Sequence, residues 1–485
     1  MSNLRFGSVC KGVIVGSFFC LNALSVSAAS YQPTEQHSVD LSDGATVSSQ
    51  PVQTSPFTAS TEKPGAVVTV KLDEVVHPKL AGIGGAFNEI GGDAFMSLPE
   101  KNQKAVAEAL FNPEKGAGLT VCRTAVGSSD FGLSEYSYSE TADDYEMEHF
   151  SVERDTKSVI PFILAAKAEN PGLRIFASPW SPPGWMKESG KMDGGRLPGK
   201  VDNPLNVLKS DPKIYEAYAL YFSKYVQAYA KHGVTVERLL VQNETDMSPT
   251  YPGCNMLPEE MSELILKYIR PQFEKDGLET EIWAGTFRGR GGNARNDAAA
   301  FMKLEGRKAI DGLGLQYCRA NITKALHTDY PEMPLMHTEG ACQNGKNSMA
   351  QARGRFAEVA EWLYSGTENY CYWNMVLNET SKSAWDWKQN SLMIIDRESG
   401  EITYTSDFAP IALLSRHIRP GDQLLNVETS DDTPAIAVRS GERLVVFVQN
   451  DAETSVTKEI NIVGDTVSVE IPARQLRAFV FTGAE

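Results

Sequence analysis

The chain has 485 residues, 42% hydrophobic and 22% charged, with 39 Gly and 25 Pro, a globular profile that excludes a fibrous or disordered chain. Lys and Arg total 46 against 62 Asp and Glu, a formal net charge of −16. An acidic surface of this kind repels phosphate backbones and anionic membrane faces, so nucleic acid is not an expected partner.

At the N-terminus, Arg5 and Lys11 precede or begin an apolar run from Val13 to Leu21, and Val26-Ser27-Ala28 supplies the small residues of an export cleavage site. Residues 1–28 therefore read as a signal peptide, which directs the protein to the periplasm, the cell surface or the medium. No later segment approaches the length of a membrane span, so no membrane insertion is expected after cleavage. Beyond the signal peptide the cysteines are Cys122, Cys254, Cys318, Cys342 and Cys371, an odd set without CxxC spacing that reads as small buried hydrophobes. None of the seven His sits in ligand spacing, so neither a metal nor another cofactor is expected.

Residues 29–62, rich in Ser, Thr, Gln and Pro, read as a linker. Ala66 to Leu72 then alternates like a strand, and the segment 63–79 is assigned to a β-sandwich. A different rhythm follows. Apolar runs at 81–87, 119–126, 173–179, 239–241, 282–285, 313–315, 335–337 and 370–376 alternate with helical patterns at 99–110, 211–231, 258–274, 295–305 and 349–365. Eight such strands predict an α/β fold, a (β/α)8 TIM barrel over 80–417 with its site at the C-terminal strand ends. From 418 to 485 the helices stop, and strands near 435–438, 444–448, 459–462 and 479–481 predict the rest of the β-sandwich.

The polar residues at strand ends carry the chemistry. Strand four runs out in Gln242-Asn243-Glu244 and strand seven in Thr338-Glu339-Gly340, which places two carboxylates at one end of the barrel. Two carboxyls across a cleft are what glycosidic cleavage requires, one to protonate the leaving oxygen and one to attack the sugar or activate water. Trp180 and Trp373, at the ends of strands three and eight, offer flat apolar faces to a pyranose. Taken singly, each of these is a common loop or core residue, and the weight lies in their joint placement. The sequon Asn243-Glu244-Thr245 is rejected as a glycosylation site because a glycan there would block the cleft.

Gly84-Gly85-Ala86-Phe87, the run Ser178-Pro179-Trp180-Ser181-Pro182-Pro183-Gly184-Trp185-Met186-Lys187, Gln242-Asn243-Glu244, Thr338-Glu339-Gly340 and Trp373-Asn374 resemble glycoside hydrolase family 30. This is the family of glucosylceramidases and endo-β-1,6-glucanases. The resemblance covers about residues 66–485 and implies a barrel with a side β-domain built from both termini. It implies Glu244 as general acid/base and Glu339 as nucleophile of a retaining mechanism, with carboxyls about 5–5.5 Å apart. Glu244 would stay protonated through burial beside an ionised Glu339. Arg123 would orient Glu339 as a carboxylate, and Tyr251 would hydrogen-bond near the same group. Asn243 would bind the sugar 2-hydroxyl, Asp130 its outer hydroxyls, and Trp180 and Trp373 would wall the subsite.

Two positions depart from the family pattern. Thr245 follows the acid/base where Pro is usual, and Gln316-Tyr317-Cys318 stands where animal glucosylceramidases carry His-Trp-Tyr. Gln316 and the stretch Trp385 to Leu392 resemble the β-1,6-glucanase branch. The expectation is a secreted retaining β-glycosidase acting on a β-glucan or glucoside, foremost an endo-β-1,6-glucanase. A glucosylceramidase-type exo-enzyme is the alternative, and a non-catalytic carbohydrate-binding protein the rival of another class.

Overall fold

The structure is a computed structural model that describes residues 30–483 apart from 201, 290–295, 341 and 343. The expected signal peptide lies outside the described residues. Three strands, β1 (Tyr31–Asp40), β2 (Gln53–Pro56) and β3 (Ala66–His77), precede a parallel barrel. Its eight staves are β4 (Gly82–Ala86), β5 (Val121–Ala125), β6 (Arg174–Ser178), β7 (Val236–Leu240), β8 (Glu281–Phe287), β9 (Gly312–Gln316), β10 (Leu335–Glu339) and β11 (Asn369–Asn374). These strands are buried almost throughout, which is why they read as continuous apolar runs and not as alternating ones. Close strand approach needs glycine at one point in particular: a Cβ on Gly84 would lie 1.7 Å from the Val121 carbonyl.

The backbone ladder runs β10-β9-β8-β7-β6-β5-β4-β11, and the seam between β10 and β11 is closed at its ends by backbone bonds, Glu368 N–H to the Leu335 carbonyl at 2.9 Å and Gly340 N–H to the Cys371 carbonyl at 2.7 Å, and between them by side chains. Asn369 accepts from the His337 N–H through Oδ1 at 3.1 Å and donates through Nδ2 to the His337 carbonyl at 2.9 Å. The His337 imidazole accepts the Cys371 N–H at Nδ1, 3.1 Å away. Its ring packs on Tyr370 and Trp362, with centroids 4.5 and 4.2 Å apart.

Helices cover the barrel. In the longest, Pro212–Lys231, Asp211 caps the N-terminus and Pro212 supplies a preset φ; Tyr218, Phe222, Tyr225 and Tyr229 face inward. The stretch predicted as one helix over 258–274 is helical throughout, α-helix at Pro258–Leu264 and Arg270–Asp276 with a wider π-helical turn over Ile265–Ile269 between them. Pro271, which has no N–H for the regular ladder, stands just past that widened turn. Helices Glu89–Met96 and Val159–Glu169 were not anticipated; Gly91 and Gly92 obscure the period of the first, and the second is apolar on most sides. A small sheet of β12 (Val376–Asn378), β13 (Met393–Ile395) and β14 (Ile402–Tyr404) follows β11. Among the described residues no helix is long and apolar enough to cross a membrane.

The second domain adds β15 (Gln423–Thr429), β16 (Ala435–Ser440), β17 (Arg443–Asn450), β18 (Val456–Ile462), β19 (Asp465–Ile471) and β20 (Gln475–Gly483). The strand order is β19-β18-β3-β15-β16-β17-β20-β1-β2, antiparallel except where β18 runs parallel to β3. Alternate residues serve two cores. Ala437, Leu444, Val446, Val448 and Phe479 pack inside this domain, while Ile436, Val438, Val445, Phe447 and Ala478 join the core that includes the barrel.

The linker assigned to 29–62 needs correction. Residues 31–40 form β1, paired with β20 from Tyr31↔Gly483 to Asp40↔Gln475, and residues 53–56 form β2 at the sheet edge. The polar composition misled because β1 buries mainly Tyr31, His37 and Val39 and presents its other residues outward. The five described cysteines are free thiols.

Burial holds the His337 imidazole neutral, with its pKa lowered from 6.5 to about 3. The folded state therefore binds this proton less readily than the unfolded chain, and the contribution of His337 is complete above pH 6.5 and declines as pH falls towards 3. Between pH 7.5 and 5.0 wild type should lose about 2 kcal/mol more unfolding free energy than His337→Gln. Denaturant unfolding of both proteins at the two pH values measures this difference.

Candidate active site

Arg123, on β5, is the centre of the C-terminal end of the barrel, and its side chain is fully buried. Its Nη1 donates to Glu339 Oε2 at 2.7 Å and to the Thr338 carbonyl at 3.2 Å. Its Nη2 donates to Asn243 Oδ1 and Ser178 Oγ, each at 2.7 Å, and Nε adds a 3.0 Å bond to Ser178. The guanidinium lies 4.4 Å from the centroid of Trp180 and 5.5 Å from that of Trp373. One cation thus joins the ends of β5, β6, β7 and β10 and leaves few of its donors unmatched.

Glu339 closes β10. One carboxylate oxygen takes the Arg123 bond, and the other accepts the Tyr317 hydroxyl at 2.6 Å. Two strong donors, one of them charged, fix its orientation. Glu244 is placed differently. It follows β7 with a left-handed backbone, φ 48°, a conformation that is unfavourable for a non-glycine residue and is held here by its N–H bond to Thr286 Oγ1 at 3.1 Å. Burial pushes its carboxyl up; Arg288 opposes, and Glu339 and Asp246 add to the rise, giving about 7.

Gln316, at the end of β9, sits between the two acids. Its Nε2 is 3.4 Å from Glu244 Oε1 and 3.3 Å from Glu339 Oε2, while Thr338 Oγ1 holds its Oε1 at 2.8 Å. The two carboxylate oxygens can be no further apart than the sum of the first two distances. That limit is near the short end of the roughly 6.5–9.5 Å spacing that leaves room for an intervening water in inverting enzymes.

A cavity of about 540 Å³ opens above these groups, lined by Asp130, Trp180, Asn243, Glu244, Tyr251, Tyr317 and Glu339, with Arg288, Asn344 and Trp387 towards the rim. Asp130 Oδ1, on the cavity wall, is a buried polar atom without a protein partner and is left for a bound molecule; Trp373 Nε1 is likewise unpartnered. Burial, together with Glu339 and Glu244, holds the Asp130 carboxyl well above its usual range. Among the described residues no group of three or more His, Cys, Asp or Glu is arranged to hold a metal.

The candidate residues named from sequence converge on this site, with two differences in role. Trp180 lines the cavity, whereas Trp373 stands behind it, its ring 5.1 Å from that of Trp180 and 1% exposed. The hydrogen bond to the Arg123–Glu339 pair expected of Tyr251 is made by Tyr317; Tyr251 lines the cavity and packs edge-on near Trp385, ring centroids 6.5 Å apart. The left-handed φ of Tyr317, 50°, accompanies this placement. Sequence reading also passed over Ser178, Thr286, Asp246 and Arg288. Ser178 and Arg288 are polar residues at the ends of β6 and β8, so the strand-end rule that selected Glu244 would have found them.

A parallel barrel that gathers two carboxylates of opposite character beside a sugar-sized cavity is the arrangement of a glycoside hydrolase. The family model for the glycosyl hydrolase family 30 TIM-barrel domain matches residues 80–283. The protein named putative glucosylceramidase 3 of Caenorhabditis elegans is 26% identical over 441 residues, 85% of this chain and 82% of that protein. Endo-1,6-beta-D-glucanase BGN16.3 of Trichoderma harzianum is 30% identical over 210 residues, 42% of each chain. In fold, SrfJ from Salmonella typhimurium superposes with a TM-score of 0.81 at 21% identity, covering 93% of this chain and 99% of that one. Residues 80–283 thus match the glycosyl hydrolase family 30 barrel domain, and the protein is a glycoside hydrolase.

The Tyr317 hydroxyl bonds the Glu339 oxygen that Arg123 leaves free and should matter to its orientation. Tyr317→Phe should lower kcat/KM on an aryl β-glucoside about 10- to 100-fold, the effect of about 1.5–3 kcal/mol for a hydrogen bond to a charged group. Steady-state kinetics with thermal denaturation as a control checks this.

Proposed function

We propose that the protein is an exported retaining β-glucosidic hydrolase whose substrate is β-1,6-linked glucan. The observation that carries the mechanism is the unequal setting of the two carboxyls: Glu339 is held by Arg123 and Tyr317, and Glu244 is buried and raised to about 7. Glu339 attacks the anomeric carbon while Glu244 passes its proton to the leaving oxygen, so one C–O bond forms as the glycosidic bond breaks. Glu244, now a carboxylate, takes a proton from water, whose oxygen displaces Glu339 and restores both groups. Asn243, held by Arg123, Thr286 and Gln316 through Oδ1, keeps its amide donors for the sugar 2-hydroxyl. Asp130 meets the outer hydroxyls.

The substrate assignment draws on the rim and on the relatives. Arg288, Asn344, Lys388 and Gln389 make the cavity mouth polar, and Trp387, 48% exposed there, presents a flat ring. Such a surface suits a saccharide leaving group better than paired alkyl chains. Trichoderma harzianum and Aspergillus fumigatus relatives are named endo-1,6-beta-D-glucanases. The competing reading, a glucosylceramidase-type enzyme, is favoured by the longer alignment with the nematode relative. Export, as part of the same proposal, draws on the basic, apolar and small-residue order of residues 5–28.

Incubation with linear β-1,6-glucan should yield a ladder of gluco-oligosaccharides by mass spectrometry, whereas turnover of glucosylceramide alone would reverse the substrate assignment. Glu339→Gln should reduce turnover by more than about 10³-fold while sugar binding persists. Wild-type rates in that variant would leave the carbohydrate-binding reading in place. Because Glu244 must be protonated to act as the acid, kcat/KM should fall as pH rises through about 7, and a plot that stays flat to pH 9 would contradict the assignment.

A further inference from the structure

Arg288 follows β8 and lines the cavity on the Glu244 side. Its Nε donates to Asp246 Oδ1 at 2.8 Å and stands 3.7 Å from Glu244 Oε1, outside direct hydrogen-bond reach. The side chain is 14% exposed, so its charge is poorly screened by water. We propose that Arg288, anchored by Asp246, is a positioning residue that sets the proton cycle of Glu244, close enough to stabilise the carboxylate formed in the first step but too far to occupy the oxygen that must donate.

The proposal rests on the acid/base reading of Glu244 and extends it. The surroundings of Glu244 show why one cation can decide the balance. Glu339 faces it from the end of β10, Asp130 from the loop after β5, and Asp246 from its own segment. Gln316 and Tyr317 approach from β9, and Tyr251 from the loop beyond Asp246. Three carboxyls therefore stand against it. Arg123 is committed to Glu339, which leaves Arg288 as the cation within 4 Å of Glu244 among the described residues. Asp246 has two effects: it tethers the guanidinium short of Glu244, and it adds a negative charge that works in the opposite direction.

If so, neutralising the two partners moves the enzyme in opposite directions. Arg288→Met should shift the basic limb of kcat/KM upward by about one pH unit or more, the usual effect of an opposite charge within ~4–6 Å. Its Glu244 would then remain protonated at pH 7 after the first step, so water attack slows. With 2,4-dinitrophenyl β-glucoside, whose leaving group needs no acid, the variant should show a burst, relieved by azide with release of β-glucosyl azide. Arg288→Lys should keep the limb near wild type. Asp246→Asn should move the limb downward.

A limb unmoved in both Arg288→Met and Asp246→Asn, or moved the same way in both, overturns the proposal. Equal losses at every pH, without burst or azide relief, assign Arg288 a merely structural part and overturn it as well. Peptide mapping after 2-deoxy-2-fluoro-β-glucosyl fluoride treatment separates the two levels of inference. Labelled Glu339 in wild type upholds the underlying mechanism whatever the Arg288 variants do, and an unlabelled, inactive wild type removes that mechanism and this proposal together.

Discussion

A guanidinium with no exposed surface cannot sit at the centre of a barrel unless its donors are matched, and Arg123 is such a group. Desolvating an ion-pair partner costs several kcal/mol, so deleting Glu339 or Ser178 from its surroundings would leave a charge or a donor unsatisfied. The same requirement fixes the site. Four strands must end in register for Ser178, Asn243, Thr338 and Glu339 to reach one arginine, and that register also brings Glu244 and Gln316 into place. Pairing Arg123 with Glu339 therefore supports the barrel top and orients one carboxylate.

The two acids differ because their neighbours differ. Glu339 meets a cation and a phenol at bonding distance, while Glu244 meets a cation at 3.7 Å and several carboxyls. Backbone strain contributes: left-handed conformations at Glu244 and Tyr317 turn both side chains into the cleft, and the buried ladder around them keeps those conformations occupied.

The sheet domain acts as a brace. Strands β16, β17 and β20 are apolar on both faces, one closing on the domain itself and the other on the barrel, so neither unit covers its surface alone. Helix Phe408–His417 lies at this junction, where the His417 ring packs tilted against His37 of β1 with ring centroids 4.1 Å apart. Arg353, before the middle of helix Met349–Tyr364, donates to the Leu41 carbonyl just past β1, which ties the N-terminal strand to the barrel wall.

The sequence by itself determined the alternation of buried strands and helices, and with it the barrel and the end of the barrel at which polar residues collect. It determined the two carboxyls as well, because Glu244 and Glu339 each follow an apolar run, and the distinctive 178–187 segment carried the family resemblance. β1 escaped it, since a strand that buries mainly Tyr31, His37 and Val39 among Ser, Thr and Gln looks like a tether until its partner β20, more than 430 residues away, is in place. The tertiary structure alone decided which tyrosine serves Glu339, that Trp373 backs Trp180, and that Arg288 stands beside Glu244. Those are distances between residues remote in the chain, set by strand register and side-chain packing, and no local pattern encodes them.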